Sequence, residues 1–237
     1  MRIAVLAATG RTGRHLTAQA LARGHQVVAL ARTPADVPGP ADWAASATSA
    51  TSAASDASGT SGASAASDAS DASAEGRLIR VAADVRDLAS LTAALQDADV
   101  VVSGLGQTKN SPDDLLASAA GHLTDLMGPR VVWLGAFGTG PSAGAAGPLT
   151  RGILRVALGS EIPDRVRADA RVLEAGGTVF HAGPLTDGPL GASRRVVPLS
   201  QAPRNLFPRT VSRATVAAGM LDVAERAGEG GVFLPLP

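Results

Sequence analysis

The chain has 237 residues, 45% of them hydrophobic but only 3% aromatic, with no Tyr and no Cys. That suits one α/β domain with a core of Ala, Val and Leu, and it excludes a disulfide, a thiol nucleophile and a Cys-ligated metal. Lys plus Arg and Asp plus Glu balance at 21 each, which argues against a polyanionic partner such as nucleic acid. No apolar run approaches the ~18–20 residues of a membrane span. The first seven residues run into a glycine loop rather than a cleavage-type site. The expectation is a soluble, cytoplasmic protein with a small-molecule substrate and no membrane partner; the oligomeric state is left open.

In chain order, Ile3–Ala8 is a short apolar run of the kind that is buried on both faces of a parallel sheet. Residues 13–23 read as a helix carrying Leu16, Ala20 and Leu21 on one side, and Gly24 stands at its C-terminal cap position. "HQVVALAR" (25–32) is the second strand and completes a βαβ unit. Residues 44–76 are a low-complexity insert in which Ser falls at every third position from Ser46 to Ser73. Having no apolar stripe, it reads as a disordered loop with no part in catalysis. It holds four acids (Asp56, Asp68, Asp71, Glu75) and no base, so the rest of the chain is mildly basic.

Order resumes with strand 77–85, helix 86–95 and strand 98–106, which runs into a glycine turn. Helix 111–127 opens on Ser111 as N-cap and Pro112 in its first turn. Strand 129–138 follows, then a Gly/Pro/Ala-rich loop over 138–162, helix 163–175 and strand 177–183. The segment 184–237 is expected to form the substrate side: an irregular Pro-rich stretch with one strand ("RRVVPLS"), a last helix over 212–227, and "GVFLPL" as a final edge strand. The alternation specifies a doubly wound parallel sheet with helices on both faces, formed by one domain over residues 1–237.

In such sheets ligands bind beyond the carboxyl ends of the strands. The loop Ala8-Thr9-Gly10-Arg11-Thr12-Gly13 follows the first strand and opens the first helix, a context that makes it a phosphate site rather than a plain turn. Gly10 is expected to permit the close turn, and Gly13 the approach of a pyrophosphate. "AATGRTG" resembles the G-A-T-G-x-T-G loop of atypical short-chain dehydrogenases/reductases, with Ala7 in place of the first glycine. "ADVRDLASLTAAL", "ADVVVSGLGQT", "VVWLGAFG" and "AGPLTDGP" resemble further segments of that group, and the likeness spans nearly the whole chain outside the insert. Within it the chain is most similar to NAD(P)H-binding proteins of the NmrA-like and biliverdin-IXβ/flavin reductase-like kind. The resemblance implies a Rossmann-like fold and a dinucleotide held by Thr9, Gly10, Arg11, Thr12 and Gly13. It further implies adenine contacts from Asp84 and Val85, with helix N-capping as the alternative role for Asp84. Leu105, Gly106 and Gln107 then pass under the cofactor, and Gly135 and Ala136 lie beside the nicotinamide. At the end of the second strand, where an acid suits the ribose hydroxyls of NAD, this chain has Arg32. A guanidinium matches a 2′-phosphate, so NADP(H) is favoured over NAD(H).

At the other end the family's chemistry is missing. There is no Tyr to act as general acid, Gly135-Ala136 replaces the frequent serines, and the helix after the fifth strand offers Arg165 and Arg167 where Lys would serve. Arg does not shuttle protons near neutral pH. His181, at the end of the sixth strand, is the candidate catalytic residue, with a buried structural histidine as the alternative. His15, His25 and His122 read as structural or surface. No His or carboxylate spacing suggests a metal. The function expected is an NADPH-dependent reduction of a flat conjugated acceptor, such as a flavin or quinone, which takes its proton from water. The first alternative is a non-catalytic NADP(H)-binding redox-sensing regulator, NmrA-like. The second is a sugar-nucleotide epimerase-like enzyme, which needs an acid/base the sequence does not offer.

Overall fold

A computed structural model describes residues 1–40, 42, 73–108, 110–126, 128–192, 195–202, 209–226, 228 and 230–236. The Ala/Ser/Asp insert therefore lies outside the described residues except for 73–76, of which 73–75 are helical. Strands β1 (Arg2–Leu6), β2 (Gln26–Ala31), β3 (Leu78–Ala82), β4 (Val100–Ser103), β5 (Arg130–Ala136) and β6 (Thr178–Ala182) lie in the order β3-β2-β1-β4-β5-β6, all parallel. Helices α1 (Arg11–Ala22), α2 (Leu88–Leu95), α3 (Leu115–Asp125), α4 (Pro148–Leu158), α5 (Glu161–Glu174) and α6 (Arg213–Glu225) cover both faces. The inner strands β1, β2, β4, β5 and β6 are mostly apolar and buried on both faces, whereas β3, at the edge, carries Arg80 and is largely half-buried; side chains alternate between the faces. Ile3 and Val5 join α1 and α6 in one core, with Val27, Phe180 and Met220. Ala4 and Leu6 join α2, α3 and α5 in the other, around Trp133, Leu116 and Val172.

Three parts of the chain depart from the sequence-based expectation. Residues 148–158, assigned to a loop, form α4. Pro148 fits its first turn, where no N–H is needed, and Gly159 (φ +37°) ends it. Its Leu149, Ile153 and Val156 are exposed, so the apolar spacing there does not mark a core face. "GVFLPL" is not the edge: β10 (Gly231–Leu236) pairs in parallel with β6, and β8 (Arg195–Pro198) pairs antiparallel with β10 to form the edge. The irregular stretch also carries a separate two-stranded ladder, β7 (Leu185–Thr186) with β9 (Val211–Ser212), directly before α6. Finally, α3 begins at Leu115 rather than Ser111. Ser111 Oγ accepts from the Thr108 N–H at 2.9 Å instead. The orphan N–H groups of Leu116 and Ala117 are met from another helix, by the fully buried carboxylate of Asp164 on α5 at 2.8 and 3.0 Å. A cap supplied across helices leaves no local signature in the sequence.

Candidate active site

A cleft of about 1090 Å³ opens at the carboxyl ends of the strands, where the order reverses between β1 and β4. That is where open α/β sheets bind ligands, and the volume stands at the top of the range for small-molecule sites. The glycine loop forms its floor. Ala7 is the one described non-glycine residue with positive φ, at +58°. This left-handed conformation costs an L-residue about 1–2 kcal/mol, which explains why a glycine is usual at that position. The Ala7 carbonyl then accepts from the Gly10 N–H at 2.9 Å and closes the turn.

Gly10 is the N-cap of α1 and gives no side-chain cap, and the first turn of the helix holds no acid. The first N–H groups of α1 and the positive end of its dipole are thus left for an anion. Thr9, Gly10, Arg11 and Thr12 all line the cleft. Gly13 is not among the lining residues, and a glycine there has a packing reason. A Cβ there would stand 2.0 Å from the Ala7 carbonyl oxygen, so the glycine is needed for α1 to pack onto the end of β1. Arg11 forms an ion pair with Asp187, which also binds Arg213 at 2.7 Å. Arg14 donates to the Thr9 carbonyl at 3.0 Å, outside the cleft lining.

Arg32 follows β2, is exposed, lines the cleft and has no ion pair among the described residues. Asp84 and Val85 line the same end. Asp84 does not cap α2; its Oδ1 accepts from the Arg86 N–H at 2.9 Å, and Asp87 is the cap, accepting from Ala89 at 3.0 Å. His122 on α3 fixes this corner by donating from Nδ1 to the Val85 carbonyl at 2.9 Å. Leu105, Gly106 and Gln107 after β4, and Gly135 and Ala136 at the end of β5, also border the cleft. The structure therefore brings together every anticipated cofactor residue except Gly13 around one opening.

His181 is placed elsewhere. It is fully buried and absent from the lining; its Nδ1 meets Ser142 Oγ at 2.7 Å and its Nε2 meets Asp169 Oδ2 at 2.9 Å. Ser142 also accepts from the Gly138 N–H at 2.8 Å, so the network ties the loop after β5 to β6. A proton donor needs to reach its acceptor, and this ring has both nitrogens engaged beneath the surface. The same network explains Gly135, since a Cβ there would lie 2.5 Å from His181 Cδ2. The serine of the resembling family has no room here.

Phe137, Leu154, Leu158 and Arg165 also line the cleft; the sequence places a wall of the substrate pocket in 138–162, but as loop rather than helix, and does not single out these side chains. The Pro148 start and the Leu154/Leu158 spacing were the available signal. Among the described lining residues no histidine occurs. His15, half-buried on α1, is held below its ordinary value of 6.5 by burial and then by the Arg213 charge.

A family model described as NAD(P)H-binding matches residues 7–69 and 44–227. The chain belongs to the NAD(P)H-binding family. No curated protein matches it in sequence. Among solved structures, ChuY, an anaerobillin reductase from Escherichia coli O157:H7, is similar at 18% identity and a TM-score of 0.67, over 100% of this chain and 97% of ChuY. A short-chain dehydrogenase/reductase from Veillonella parvula, in complex with NADP, is similar at 16% identity and 0.70, covering 100% and 94% of the two chains. The oxidoreductase ylbE from Lactococcus lactis is similar at 15% and 0.69, covering 99% and 90%. At these identities the likeness establishes the fold of this NAD(P)H-binding protein: a Rossmann-like parallel sheet between helices.

Proposed function

We propose that this member of the NAD(P)H-binding family is an NADPH-dependent oxidoreductase that reduces a flat conjugated acceptor without a catalytic Tyr. The observation that carries this reading is the composition of the cleft wall. Away from Asp84, the described lining beyond β4 offers apolar side chains, the amides and hydroxyls of Gln107, Thr108, Asn110 and Ser111, and the guanidinium groups of Arg165 and Arg213, with no side chain able to give up a proton near neutral pH. An acceptor that needs only orientation, and draws its proton from water, suits such a wall. The cofactor, when bound, supplies the hydride. In this reading the first N–H groups of α1 hold its diphosphate and Arg32 its 2′-phosphate. Asp84 and Val85 bind the adenine, and Leu105 to Gln107, Gly135 and Ala136 flank the nicotinamide. Phe137, Leu154 and Leu158 exclude water from the reacting face.

The lack of a proton donor also favours a second reading, a non-catalytic NADP(H)-binding redox sensor. An epimerase-like activity would require an acid/base pair that the lining does not supply. NADPH oxidation, followed by absorbance with a panel of flavins and quinones, separates the first two. Turnover with at least one acceptor supports the reductase; tight NADPH binding with no turnover across the panel supports the sensor.

A further inference from the structure

Helix α4 carries two apolar rows. Leu154 and Leu158 line the cleft, whereas Leu149, Ile153 and Val156, at i, i+4 and i+7, form a row on the outer surface. These three are 57%, 50% and 88% exposed, so the row is a ridge rather than the wall of a groove. They make up half of the six large hydrophobic residues exposed among the described residues; Met1, Leu88 and Leu190 stand singly elsewhere. Single exposed apolar residues are ordinary, but a contiguous set marks a contact surface. The charge beside the row has one sign. Between Asp125 and Glu161 the chain has no acid and three bases, Arg130, Arg151 and Arg155. Arg151 and Arg155 lie on α4, are exposed, and form no ion pair among the described residues. Glu161, the first acid beyond the helix, is already bound to Arg165 at 2.9 Å, and Asp164 is buried. The exposed surface of α4 is therefore apolar and cationic.

We propose that α4 docks the protein peripherally on an anionic lipid surface. Leu149, Ile153 and Val156 enter the headgroup region, and Arg151 and Arg155 reach lipid phosphates from beside the row with their long side chains. A basic helix with an apolar row suits a segment that lies on a membrane rather than one that spans it. No described helix is long and apolar enough to cross a membrane. The expectation of no membrane partner rests on the lack of a spanning run, which a surface contact does not need. A second copy is the poorer occupant, because α4 packed on α4 would set the arginines of both helices together with no acid on either. A peptide needs a groove or a free strand edge, and a ridge offers neither. Since Leu154 and Leu158 belong to the same helix, docking sets the cleft beside the lipid surface. The inference goes beyond the reductase reading and does not depend on it.

The test is flotation of the full chain with vesicles of phosphatidylcholine alone and with vesicles of equal parts phosphatidylcholine and phosphatidylglycerol. Recovery is expected with the second kind only, and it should fall as salt is raised. Ile153→Glu and Val156→Glu, at exposed positions, should each weaken that binding about 10-fold or more, with the urea midpoint unchanged. Arg151→Gln and Arg155→Gln should each weaken it about 5-fold. Arg226→Gln is the control: this exposed arginine stands at the opposite end of the sheet, where its carbonyl accepts from Arg130 at the start of β5, and its loss should leave binding unchanged. No recovery with the anionic vesicles, equal recovery with both kinds, or an equal loss in Arg226→Gln would overturn the proposal. Light scattering tests the rival occupant. A wild-type dimer that Val156→Glu converts to a monomer would assign the row to a second copy and overturn the proposal as well.

Discussion

At the β1/β2 end of the cleft the recognition surface is backbone, shaped by small residues; at the β5/β6 end it is held up by buried polar side chains. The first end depends on Ala7, Gly10 and Gly13, whose lack of bulk lets the loop turn and α1 approach β1. The second depends on Asp164 beneath Gln107 and on the Ser142–His181–Asp169 network beneath Gly135. An end built from backbone is written in a contiguous motif. An end built from side chains that meet across long sequence separations is not. The two should also fail differently, by steric clash at one and by unpaired buried polar groups at the other.

The largest effects are expected where these supports are removed. Asp164→Ala leaves two N–H groups of α3 and the Gln107 amide without their acceptor, and should cost about 2–4 kcal/mol in urea unfolding. Gly13→Ala drives a methyl into the Ala7 carbonyl and should cost about 3 kcal/mol together with NADPH binding. If Asp164→Ala is nearly neutral, the side-chain account of the far end is broken.

Gly135→Ala is expected to cost about 2–3 kcal/mol through contact with the His181 ring, and clearly less in a His181→Ala background. Additive effects would show that the ring does not set the size of residue 135. Ala7→Gly should do the opposite of the others. Releasing an L-residue from positive φ raises stability by about 1 kcal/mol, read as a higher urea midpoint at unchanged slope.

The smallest effect is electrostatic. Burial and Arg213 hold the His15 pKa below 6.5, so the folded state binds that proton less readily than the unfolded chain. Its contribution to stability is full above about 6.5 and declines as pH falls below that value toward the folded pKa. Replacing His15 by Gln should flatten the stability profile over that interval. Glu225 declines at lower pH. Burial pushes its carboxyl up, but hydrogen bonds from His25 and Arg23 outweigh this and hold it below 4.5. A profile of His15→Gln that matches the wild type near pH 6 would remove His15 from the account.

The same contrast explains what was legible in the sequence. The doubly wound parallel sheet follows from apolar runs separated by helices, and the loop Thr9–Gly13 announced its own place at the end of the first strand. Arg32, Asp84 and Gly106 could be placed at the cleft because each follows a strand end, a position that counting residues gives. His181 was misjudged for the same reason: being at a strand end does not say whether a ring points into the cleft or under it. The trans cap from Asp164 and its hydrogen bond from Gln107 depend on contacts 48 and 57 residues apart, beyond any local pattern. Helix α4 was taken for a loop because its Gly/Ala-rich surroundings outweighed the Pro148 start.

The central claim is that the cleft holds a dinucleotide with its 2′-phosphate on Arg32. The most direct test is a parallel titration of NADPH and NADH into the wild-type protein and Arg32→Asp. The account predicts that the wild type prefers NADPH, and that the substitution weakens NADPH by about 1–3 kcal/mol while leaving NADH nearly unchanged. Equal losses for both nucleotides would contradict the role given to Arg32, and binding of neither by the wild type would contradict the reading of the cleft itself.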